Sequence, residues 1–149
     1  MLKKYKIGFD AWALLLFLVV MLPNFYWFAF EAPNDVLRGD SITPTIDMMA
    51  SICQVVMVVA LCMIKRRDVT KIKWSVKLLF VVLSYLVYLC SWIFYYHGNV
   101  NSFIIIALCL APCLTFGFYA YDRKNVPVFI PLFIFGLCHL TFGIVNFIL

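Results

Sequence analysis

Residues Ser75–Tyr96 read SVKLLFVVLSYLVYLCSWIFYY, with one charge, Lys77, close to the start. A helix of about 20 apolar residues, rising 1.5 Å per residue, matches the roughly 30 Å hydrocarbon core of a bilayer. Working outward, four more stretches have the same character: Phe9–Phe30, Thr45–Ile64, Ser102–Tyr121 and Val128–Leu149. The pattern predicts an all-α integral membrane protein, a bundle of five transmembrane helices. At 66% hydrophobic and 13% charged residues, the chain leaves no room for a soluble domain. It reads as a single membrane-embedded unit over 1–149.

The segments between the spans set the expected orientation. Lys3, Lys4, Lys6, Lys65, Arg66, Arg67, Lys71, Lys73, Lys77, Arg123 and Lys124 all fall on one side, and Arg38 alone falls on the other. Basic residues concentrate on the cytoplasmic side of membrane proteins. The N-terminus is therefore predicted inside and the C-terminus outside. The net charge of +5 is read as topology and not as a nucleic-acid surface, although the Lys65–Lys77 stretch could also attract anionic lipid head groups. The apolar run after Lys6 is too long for a signal-peptide core and lacks a clean small-x-small cleavage site near Phe30, so it is expected to stay as helix 1. Aromatic residues near the predicted boundaries, among them Tyr5, Trp12, Tyr26, Trp27, Trp74 and Trp92, fit interfacial belts. Minimal loops without an N-x-[S/T] sequon on the outer side suggest a bacterial cytoplasmic membrane.

Chemistry-bearing motifs are scarce. Cys53, Cys62, Cys90, Cys109, Cys113 and Cys138 all lie inside predicted spans with no C-x-x-C pair, which removes thioredoxin-like and zinc-ribbon readings. Cysteine at such positions acts as a small apolar residue. No H-E-x-x-H or G-x-S-x-G occurs. His97 at the outer boundary and His139 near mid-depth do not match as a haem pair. The outer acids Asp35, Asp40 and Asp47 could bind a divalent cation, but loop carboxylates are usually solvated. The Arg38–Gly39–Asp40 tripeptide is too short to support an adhesion role. No catalytic activity and no cofactor are expected.

Polar residues inside spans carry the functional signal, because lipid penalises them unless they are paired or wet. Asp47, Ser51 and Gln54 share one face of helix 2. Ser84, Tyr88, Ser91 and Tyr95 share a face of helix 3, and Gly136, His139, Gly143 and Asn146 share a face of helix 5. Asn24 sits beside Pro23, which should free a backbone carbonyl in helix 1 and kink it near Val19–Pro23. With the N-terminus inside, these polar groups crowd the outer half, whereas the inner half holds little beyond Asp10. Asp10 is expected to be neutralised by Lys6, one turn earlier on the same helix, or by Lys77. The faces serve either as helix–helix seams, glued by interhelical hydrogen bonds and by small residues such as Gly136, Gly143, Ser84 and Ser91, or as walls of a hydrated pocket.

The pocket reading has Asn24, Asp47, Gln54, Tyr95 and Asn146 lining an outward-facing cavity, with His139 at its floor and the Glu31–Pro44 loop as a cap. Such a protein would bind a small ligand or help to transport one. Five spans are few for a transporter acting alone, so a homo-oligomer or a membrane-protein partner would be needed. The competing class is an accessory, immunity or sensor-type membrane subunit that acts through protein contacts with no chemistry of its own.

Overall fold

The computed structural model describes residues 4–69 and 74–149. Lys3, Lys71 and Lys73, which entered the charge count, lie outside the described residues. The described chain forms five long helices and one small sheet. The helices are α1 (Ala11–Ala29), α2 (Pro44–Met63), α3 (Val76–Tyr96), α4 (Ser102–Asp122) and α5 (Phe129–Phe147). Each is long and apolar enough to cross a membrane. Large apolar side chains such as Leu15, Leu22, Val55, Val59, Leu83 and Phe133 stand exposed on the outside of the bundle, a surface compatible with lipid.

Local signals start and stop the helices. The Asp10 carboxylate accepts the N–H groups of Trp12 and Ala13 and caps α1. Pro44 opens α2, where its missing N–H costs nothing. Ser75 and Asn101 cap α3 and α4 through Leu78 N–H and Ile104 N–H. Gly98, at φ 78°, closes α3 in a left-handed turn that glycine adopts without strain. A 3-10 turn at Val126–Val128 precedes α5.

α1 runs through Pro23 without a break. Proline at 23 leaves the carbonyl of Val19 without its helical donor. The Tyr85 hydroxyl of α3 supplies it, donating to Val19 O at 3.1 Å. A neighbouring helix thus provides the bond that the proline removes, as an apolar environment demands.

α4 is the centre of the bundle, the most buried helix of the five, and α1 is the least buried. α3 and α5 flank α4, α2 packs on α5, and α1 touches α2, α3 and α4. Phe80 stacks on Phe118 across α3 and α4, and Phe17 meets Phe116 across α1 and α4. Ser84 and Ser91 are buried, but each donates to a carbonyl four residues back, Phe80 O and Val87 O, at 2.8 Å. They satisfy themselves within α3, while Tyr88 on the same face accepts from Asn24 of α1 and Tyr95 donates to Asp35 of the loop.

The α4–α5 seam is set by small residues. A Cβ added at Gly143 would lie 2.6 Å from Cys109 Sγ, and one at Gly136 would lie 3.6 Å from Cys113 Sγ. Overpacking a tight site of this kind costs about 1–3 kcal/mol. Gly143→Ala should therefore destabilise the bundle by about that much. Cys109→Ala should rescue most of the loss, because only the sulfur is in conflict and Cys109 Cβ stands 3.9 Å away. A double-mutant cycle read by thermal unfolding in detergent checks it, and additive effects of the two changes would exclude a direct contact.

The end of the bundle that carries most of the basic residues differs from expectation. Tyr5–Ile7 (β1) pairs antiparallel with Ile64–Arg66 (β2), in the register Tyr5–Arg66, Lys6–Lys65 and Ile7–Ile64. Both segments read as connecting stretches in the sequence. Gly8 N–H and Asp10 N–H continue the ladder to Met63 O and Cys62 O, tying the start of α1 to the end of α2. Lys6 therefore lies on a strand and cannot pair with Asp10 along a helix. The partner of Asp10 is Arg123, with Nε–Oδ2 at 3.5 Å, and the Tyr119 hydroxyl donates to the same carboxylate. Lys77 instead lies over the Tyr121 ring at 4.3 Å. Asn125 donates to Ala60 O and Ile64 O and holds the end of α2.

Candidate functional site: a capped cavity between the helices

At the opposite end, the loop between α1 and α2 folds down onto the bundle around Asp35. Trp27 Nε1 donates to both carboxylate oxygens, at 3.0 and 2.8 Å. The Tyr95 hydroxyl donates at 2.7 Å, Ala32 N–H at 3.3 Å and Arg38 Nε at 2.9 Å. Leu37 N–H in turn donates to the Tyr95 oxygen. The Asp35 side chain is 2% exposed. Burial opposes its ionisation, but the donors from Trp27, Tyr95, Ala32 and Arg38 outweigh that and hold its carboxyl below the ordinary value. Asp35 is thus the anchor of the cap and not a solvated loop acid. Arg38 also donates to Trp27 O and lies over the Trp27 ring at 4.9 Å, so the tripeptide's arginine is engaged within its own loop.

Below the cap is a cavity of about 380 Å³ lined from all five helices. Its polar lining comprises Asn24 from α1, Asp47, Ser51 and Gln54 from α2, Tyr88 from α3 and His139 from α5. Trp27, Trp92, Phe116, Phe135 and Phe142 supply much of the apolar wall. Asn24 Nδ2 donates to the Tyr88 hydroxyl at 2.7 Å. The Thr43 hydroxyl donates to Asp47 at 3.2 Å. Gln54 makes one weak contact, to Met21 Sδ at 4.0 Å. The His139 ring is stacked between Phe135 and Phe142, at 5.1 and 6.3 Å.

Of the six residues singled out from sequence, the fold brings Asn24, Asp47, Gln54 and His139 to this one cavity. Tyr95 and Asn146 are not in its lining. Tyr95 is fully buried beside the cavity, holding Asp35 and Leu37. Asn146 is turned toward the loop: its Oδ1 accepts from Ile42 N–H at 2.7 Å, and its Nδ2 donates to Thr43 Oγ1 at 2.7 Å. Both position the cap. His97 is held on its own helix by Ile93 O. Among the described residues, no group of three or more His, Cys, Asp or Glu side chains could hold a metal ion.

Sequence reading placed Asp35 among solvated loop acids with at most a cation to bind and Trp27 in an interfacial belt, and it noted Tyr88 without a role in the site; the structure joins Asp35 and Trp27 in the cap instead. No spacing rule could have paired Asp35 with Tyr95, which stands 60 positions away. The one available hint was local: an acid eight residues after a tryptophan, across a Pro-Asn turn.

Fold and site together define a five-helix apolar bundle with a cap at one end and a mixed polar and aromatic cavity beneath it. No protein-family model, curated protein or solved structure matches the chain.

Proposed function

We propose that this chain is a multi-pass protein of a bacterial cytoplasmic membrane, a single embedded unit that binds a small ligand in its capped cavity. It is threaded with the N-terminus and the Lys65–Lys77 segment inside and with the cap and the C-terminus outside. The cavity then faces outward, and the protein either retains the ligand or helps to transport it as a homo-oligomer or with a membrane-protein partner. The reading is of binding and not of catalysis. The orientation rests on charge: eleven of the twelve Lys and Arg residues fall in the sequence segments on one side of the five spans.

One observation carries the binding reading. Polar side chains from α1, α2 and α5 converge on one space with hydrogen-bonding capacity unused: among the described residues neither His139 ring nitrogen has a hydrogen-bond partner, and Gln54 has only the sulfur contact. Unpaired polar groups at membrane depth cost several kcal/mol each unless water or a ligand meets them. A seam would have paired them.

In sealed cells expressing a cysteine-free background, a water-soluble maleimide applied outside should modify Gln54→Cys and also Leu149→Cys. His139→Cys should react more slowly. Failure at Leu149 would refute the orientation. Failure at Gln54, with Asp47→Cys reactive, would leave a closed seam in place of a pocket.

A second reading, an accessory or sensor-type subunit acting through protein contacts, is favoured by the cap itself. Its fold is fixed by Asp35, yet it presents Ile42 73% exposed beside Asp40. Co-purification of a stoichiometric partner that is lost on Ile42→Asp would support that reading.

A further inference from the structure

We infer that the cavity takes a small organic ammonium, an amine carried on an apolar body of about one ring. The inference rests on the ligand-binding reading above and names the chemistry of that ligand.

Charge decides the class. Asp47 is the only acidic side chain in the lining, and no Lys or Arg lines the cavity. Among the described residues, the one side-chain donor to the Asp47 carboxylate is the neutral Thr43 hydroxyl. An anion placed here would face a carboxylate with no basic side chain in the lining to offset it. A cation supplies the missing partner.

The remaining lining suits the same guest. An ammonium brings donors only and needs acceptors and ring faces around it. Asn24 commits its Nδ2 to Tyr88, which leaves its amide oxygen without a donor, and the Gln54 oxygen has none either. Aromatic faces attract cations. Trp27 already takes the Arg38 guanidinium on its ring and Phe135 and Phe142 stack on His139, but the lining holds further rings in Phe28, Trp92, Phe116 and Phe147. The volume of about 380 Å³ lies at the small end of the range of about 300–1,000 Å³ for ligand pockets. That favours a single-ring amine over a bulky or multi-ring cation.

The test uses the full chain in nanodiscs of zwitterionic lipid, with three probes of similar size and different charge: 2-phenylethylamine, 2-phenylethanol and 3-phenylpropionate. Binding is read by calorimetry. The amine should bind at least about tenfold more tightly than either of the others, and Asp47→Asn should erase that advantage while leaving 2-phenylethanol within about twofold of its original affinity. Equal binding of the amine and the alcohol, tighter binding of the carboxylate, or an amine advantage that survives Asp47→Asn would overturn the ammonium assignment and leave the pocket standing. If none of the three binds while Gln54→Cys still reacts from outside, the cavity is hydrated but takes no such amine, and the assignment falls alone. If none binds and Gln54→Cys is inert, the pocket reading falls with it. Thermal unfolding of Asp47→Asn, expected within a few degrees of the parent, shows that the variant is folded.

Discussion

Replacing Arg123 with alanine is expected to destabilise the folded chain by about 3–5 kcal/mol, the range for removing one partner of a buried ion pair. The side chains of Arg123 and Asp10 are 8% and 7% exposed. Without the guanidinium, Asp10 retains neutral donors only: the N–H groups of Trp12 and Ala13 and the Tyr119 hydroxyl. The loss should fall mainly on α1. That helix buries only Ala13 and Val20 of its own residues, so its attachment to α4 depends heavily on the Asp10–Tyr119–Arg123 cluster. Hydrogen exchange should therefore rise across Ala11–Phe17 more than in α4. Unfolding titrations in mixed micelles give the total. A cost below about 1 kcal/mol would mean that water reaches the pair and that the surface value applies instead.

Asp35→Ala should cost about 2–4 kcal/mol, expressed as release of the cap. Hydrogen bonds to a charged group contribute about 1.5–3 kcal/mol, and this carboxylate receives several, although Arg38 is partly exposed and counts for less. Trp27 Nε1 and Leu37 lose their arrangement together, because Tyr95 joins Asp35 to the loop backbone. The same site predicts a pH dependence. The Asp35 carboxyl is held below its ordinary value in the folded cap. Its contribution is thus fully present above the unfolded value near 4 and is lost as pH falls through the lower folded value. Tryptophan emission should shift in that acid window in the parent and show no such transition in Asp35→Asn. A transition of equal size in both would assign it to another group.

The helices were legible because their signals are local. Length, apolarity and caps such as Ser75 and Asn101 act within a few residues, and the observed helices begin and end within about two residues of the predicted spans. The shared faces of α2 and α5 were legible too, because helical period alone places Asp47, Ser51 and Gln54, or His139 and Asn146, on one side. Which neighbour each face meets was not. Asn146 and His139 share a face, yet one holds the loop at Ile42 and Thr43 and the other lines the cavity. Ser84 and Ser91 read as small residues of a seam; that their hydroxyls would bond within α3 was not legible.

By itself, then, the sequence determined that five apolar helices form and, because successive spans alternate in direction, which ends share a side. Those properties follow from hydropathy, period and the order of the spans along the chain. Only the tertiary structure decided the partners. It paired Asp10 with Arg123, Asp35 with Trp27 and Tyr95, Tyr85 with the carbonyl freed by Pro23, and β1 with β2. Each of those contacts except Asp35–Trp27 joins residues more than 50 positions apart. Such a contact depends on how helices rotate and tilt against one another, and that is settled by close fits such as Gly143 against Cys109, which no linear pattern encodes.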